Sequence, residues 1–105
     1  MRSRYLLFTI LTMALLLPAQ TRAADQEAQA RELFNTQGCK GCHRIEGSGG
    51  NLAPELKTMA KRWSEPLLLQ RLITPSTSEQ GMTMPSFEHL SQSELEALVF
   101  LLRKL

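Results

Sequence analysis

With 105 residues, 43% of them hydrophobic, the chain has room for one small domain. Its formal charge of +2 is not a nucleic-acid signal: Arg2, Arg4 and Arg22 fall in an apparent leader, and residues 24–105 carry a net −1. Only 31 of those 82 residues are apolar and two cysteines allow at most one disulfide, so a chain this short needs a metal or a large cofactor to complete its core.

The elements follow in chain order. Arg2 and Arg4 form a positive start, and ten of the twelve residues Leu6–Leu17 are apolar before Pro18 ends the run. That length suits a secretory signal and falls short of the roughly 20 residues of a membrane-spanning helix. Thr21 and Ala23 are the small residues of a signal-peptidase site. Cleavage is expected after Ala23, with Ala24 and Ala19 as weaker alternatives, leaving residues 24–105 as one domain. The rival is an uncleaved anchor; no cysteine lies near the leader to carry a lipid.

Asp25 to Asn35 reads as a helix through Ala30, Leu33 and Phe34, ending near Gly38. The cluster Cys39-Lys40-Gly41-Cys42-His43 follows, then a loop over residues 46–51 too rich in glycine for regular structure. Pro54 opens a short helix carrying Leu56, Met59 and Ala60. Ser64 caps another, with Pro66 in its first turn and Leu67 to Ile73 as its body. Thr74 to Pro85 is a loop. Ser91 and Glu94 form a capping box for a last helix with Leu95, Leu98, Val99 and Leu102 on one face. Arg103 and Lys104 suit the negative end of its dipole. No segment alternates with period two, so the class is all-α.

Three chemistries compete for residues 39–43. A thioredoxin-like dithiol needs a βαβ scaffold, and no strands are expected. A zinc site would draw on Cys39, Cys42, His43 and His89, but His43 directly follows Cys42 and His89 lies far beyond, unlike the spacings of zinc ligands. A c-type haem site fits. Two thiols on one turn can add across two porphyrin vinyl groups, and the adjacent imidazole can then ligate iron.

With that motif in place, the chain resembles the class I cytochrome c family over nearly all of residues 24–105. Ala30-Arg31-Glu32-Leu33-Phe34 looks like the family's first helix, and Leu52-Ala53-Pro54-Glu55-Leu56 is similar to its Gly-Pro-x-Leu segment with Ala53 for glycine. Met84-Pro85-Ser86-Phe87 resembles the segment bearing the distal methionine, and Leu90 to Leu105 the final helix. Leu101 stands where many relatives carry an aromatic. The resemblance implies three to four helices wrapped around one covalent haem c, with His43 as proximal iron ligand donating a hydrogen bond to the Pro54 carbonyl. It also implies one-electron transfer rather than an enzymatic reaction.

For the sixth iron ligand the candidates are Met59, Met82, Met84 and His89. Met59 sits among core positions, and His89 reads as a loop end. Met84 is favoured by its Met-Pro-x-Phe context, with Met82 as the alternative and ordinary gap-filling by both as the bland reading. Trp63, Arg62 and Arg71 are candidate partners for haem propionates; an interfacial aromatic and two solvated cations are the plainer readings. The expected protein is a periplasmic bacterial electron carrier, monomeric, with redox proteins as donor and acceptor. It has no nucleic-acid partner and no membrane span after cleavage. The alternatives are a dedicated haem subunit of a periplasmic oxidoreductase complex and, less supported for want of a distal base and arginine, a peroxidase or gas-binding protein.

Overall fold

A computed structural model describes residues 17–79 and 81–105; most of the expected leader lies outside them. Helix α1 spans Leu17–Thr36, α2 is the single turn Cys39–Cys42, α3 spans Leu56–Arg62, α4 Glu65–Ile73 and α5 Gln92–Lys104. The architecture is helical as expected, with four helices and one extra turn among the described residues. No helix among these residues is long and apolar enough to cross a membrane.

Helix α1 begins earlier than the sequence pattern suggests. Pro18 lies inside it, and the chain stays helical through Ala23 and Ala24, where cleavage is expected. Alanine and glutamine are good helix formers, and they propagate the helix without a buried face: residues 21–25 are exposed, and burial starts at Ala30. Gly38, at φ 79°, then takes the left-handed turn that separates α1 from the cysteine turn.

A second difference is a small hairpin where only loop was expected. β1 (Arg44–Ile45) pairs antiparallel with β2 (Ser48–Gly49). Glu46 and Gly47, between them, both have positive φ, at 49° and 78°, as the favoured two-residue hairpin turn requires. Glu46 is a costly residue for that conformation. Its carboxylate is held by the Arg31 guanidinium in a forked pair, at 2.9 and 3.2 Å. Arg31 also reaches Glu27, at 3.1 Å, and Lys104 pairs with Glu27 from the end of α5. Lys104, then Arg31, hold the Glu27 carboxyl below the usual carboxylate range, and Arg31 does the same for Glu46.

The core lies where α5 crosses α1 and is flanked by α3 and α4. Leu98 and Leu101 are its most deeply buried large side chains, joined by Leu33, Phe34, Leu68, Leu95 and Leu102. Leu101 is almost wholly enclosed there. The Ser91–Glu94 capping box forms as expected, with Glu94 N 3.2 Å from Ser91 Oγ and Ser91 N 2.8 Å from Glu94 Oε2. Ser64 occupies the cap position of α4, but its side chain makes no cap hydrogen bond.

Arg103 does more than favour a helix dipole. Its guanidinium donates to the Ala60 carbonyl at 3.0 Å and to the Trp63 carbonyl at 3.3 Å, so α5 satisfies the open C-terminal end of α3. Arg103→Ala should cost about 1 kcal/mol, the usual net worth of such a bond. Urea denaturation of the holoprotein reads this directly; an unchanged midpoint would show that water replaces the contact.

Candidate functional site

The cysteine turn sets the site. Helix α2 places Cys39 and Cys42 on one turn, with Cys39 half-buried against the core and Cys42 exposed. Burial pushes the Cys39 thiol above its ordinary pKa. His43 caps this turn through its backbone N–H on Cys39 O, at 2.9 Å, and its extended backbone carries the side chain inward. It is the one buried polar side chain among the described residues, 8% exposed.

The chain after the motif wraps back onto it. Gly50 N donates to Lys40 O and Ala53 N to Cys42 O, each at 2.9 Å. A Cβ at Gly49 would collide with the His43 carbonyl, and one at Gly50 with the Gly41 carbonyl. The glycine-rich stretch is thus a close-fitting strap over the haem motif, which explains residues that read from sequence as mere loop. It delivers Pro54 to the imidazole: His43 Nδ1 lies 2.7 Å from the Pro54 carbonyl oxygen. A carbonyl can only accept, so Nδ1 carries a proton, and in a neutral imidazole Nε2 is then the lone-pair nitrogen. No side chain or carbonyl among the described residues hydrogen-bonds Nε2. This is the arrangement that orients an imidazole for a metal and raises its basicity.

The candidates for the opposite ligand separate clearly. Met82 sits on a tight turn, with its N–H 3.1 Å from Ser78 Oγ and its carbonyl accepting from Ser78 N at 2.8 Å, and its side chain is 43% exposed. Met84 is partly buried and packs against the core, as do Met59 and Trp63. His89 is exposed and bonded to Gln37, Nε2 to Oε1 at 3.0 Å, away from any ligand cluster. Phe87 is buried, with its ring tilted against His89.

Trp63 and Arg71 are brought together, with the guanidinium 5.6 Å from the ring centroid. Arg71 Nε is buried with no hydrogen-bond partner. An orphaned cationic donor beside an indole suits an anionic group such as a porphyrin propionate. Arg62 is exposed, as the plainer reading has it. No group of three or more His, Cys, Asp or Glu side chains that could hold a metal ion occurs among the described residues. Among the described residues the strands are two residues long and form no βαβ unit. Sequence reasoning missed Ser86 and Arg103, whose roles depend on carbonyls distant in the chain.

Comparison with known proteins agrees with this geometry. The family model for cytochrome c matches residues 27–105. Among curated proteins, cytochrome c oxidase subunit 2 of Alkalihalophilus pseudofirmus is 28% identical over 85 residues, 73% of this chain. The match takes in 25% of that protein, so the chain spans about a quarter of the relative's length. No solved structure matches the chain. Taken with a buried histidine whose Nδ1 is committed to Pro54 and whose Nε2 is left free, the match over residues 27–105 settles the family: the chain belongs to the cytochrome c family, and its Cys39, Cys42 and His43 fit that family's covalent haem c.

Proposed function

We propose that the protein is an exported one-electron carrier of the bacterial periplasm, with residues 1–23 as a cleaved leader and with His43 and Met84 as the axial ligands of its haem. The observation that carries this reading is the 2.7 Å bond from His43 Nδ1 to the Pro54 carbonyl. Bound haem supplies a reversible ferric–ferrous couple. The chain's own contributions are positional. His43 is held in orientation by the Pro54 carbonyl; Met84 offers a soft thioether, which favours ferrous iron and raises the potential. With both axial positions committed, no place remains for a substrate or oxygen. Cys42 is exposed while Cys39 is half-buried and His43 buried, so one attachment point lies at the surface, where an electron can pass to a partner.

Optical redox titration of the purified holoprotein should follow a single one-electron step, and carbon monoxide should leave the ferrous spectrum unchanged. A stable carbon monoxide adduct would identify an open sixth position and move the assignment to a gas-binding or peroxidase protein.

A second reading is favoured by the oxidase relative: a haem subunit that works inside a larger oxidoreductase complex. Size exclusion of the protein in its native extract separates the two. A free carrier elutes as a monomer; a subunit co-elutes with oxidoreductase chains.

A further inference from the structure

The segment around Met84 is tied down on both sides. Before it, Thr77 and Thr83 form an antiparallel bridge with their hydroxyls 2.8 Å apart. After it, Ser86 Oγ donates to the Ile73 carbonyl at 2.6 Å, and Phe87 N donates to the Leu72 carbonyl at 2.8 Å. Leu72 and Ile73 are the last residues of α4, and their carbonyls are among those a helix leaves without partners of its own. The distal loop therefore docks on the open end of α4. Ser86 Oγ also accepts from Glu88 N at 3.3 Å, closing the turn that sends Phe87 into the core.

The chain between Met84 and this anchor is short and stiff. Pro85 fixes its own φ and biases Met84 toward an extended backbone. With one restricted residue between them, displacement of Met84 is transmitted directly to Ser86. The main-chain bond at Phe87 is available to any residue type, whereas the bond to Ile73 needs a hydroxyl at residue 86.

We propose that Ser86 is a positioning residue for the distal ligand: its bond to the Ile73 carbonyl holds the Met84 loop closed and sets how readily an exogenous ligand displaces the thioether. This rests on Met84 being that ligand, and the experiment separates the two claims. Opening the loop breaks the Ser86 bond in the native protein, and in Ser86→Ala there is none to break.

The test is imidazole titration of the ferric holoprotein, comparing the native chain with Ser86→Ala, Ser86→Thr and Met84→Ala. Ser86→Ala should bind imidazole about fivefold more tightly, the worth of one modest hydrogen bond. Ser86→Thr, which keeps the hydroxyl, should return to native affinity. Met84→Ala should bind more tightly than either. Native affinity in Ser86→Ala alongside tight binding by Met84→Ala overturns the role of Ser86 and leaves the ligand assignment standing. A lowered urea midpoint in Ser86→Ala without any change in imidazole affinity also overturns it, because that is the signature of a purely structural contact. Unchanged affinity in Met84→Ala removes the ligand assignment and this proposal with it.

Discussion

Replacing both Cys39 and Cys42 by alanine should abolish covalent haem and leave most of the chain unfolded. The protein core is thin for its length. Among the described residues fifteen apolar ones are buried, three of them alanines, and only Leu98 and Leu101 of their larger side chains are almost wholly enclosed. Met59, Trp63, Leu69, Leu72, Ile73 and Met84 are half-covered. A macrocycle held against such side chains removes apolar surface from water at about 25 cal/mol per Å². Covalent attachment also keeps it in place during unfolding and refolding. In a domain of this size that contribution is comparable with the entire net stability, roughly 5–15 kcal/mol. Haem-peroxidase staining after denaturing electrophoresis should disappear in the double variant, and its far-ultraviolet circular dichroism should fall by about half or more. Acid acetone that extracts the haem from the native protein would refute the attachment, and a well-ordered helical apoprotein would refute the argument from the core.

The second large effect is expected at the distal position. Met84→Ala should abolish the weak near-infrared charge-transfer band of a ferric iron–thioether bond. It should also lower the reduction potential by on the order of 100 mV, about fifty-fold in a one-electron equilibrium. Met82→Ala should leave both unchanged. Met82 is exposed, and both its backbone groups are engaged with Ser78 in a turn of their own. Met84 already packs against the core. If the two variants behave in reverse, Met82 is the ligand. If both retain the band, neither is the sole ligand, and exchange between the two becomes the leading account.

Local chemistry made the terminal helix and its cap readable in advance. Ser91 and Glu94 are three residues apart and satisfy each other's backbone donors whatever lies elsewhere, so the capping box follows from spacing. Ser64 shows the limit of the same reasoning. It occupies the expected cap position, yet its hydroxyl does not make the bond, because cap preference permits a side-chain geometry without compelling it. The start of α1 was misjudged for a related reason. Apolar periodicity reports burial, and residues 21–25, helical but exposed, carry no such signal.

Chemistry that depends on neighbours along the chain is legible without the fold. Two thiols and an imidazole within five residues can be read as a haem site because one helical turn brings them together with no help from the rest of the fold. Which atoms serve those groups from a distance depends on the fold. The Pro54–His43 bond that the family resemblance implies forms because Gly49 and Gly50 let the strap lie against the motif. Arg103 meets Ala60 and Trp63 only because α5 crosses the end of α3. Ser86 meets Ile73 only because the distal loop folds back onto α4. Each of these bonds joins a side chain to a backbone carbonyl, a group every residue carries, so no residue type in the sequence marks the acceptor.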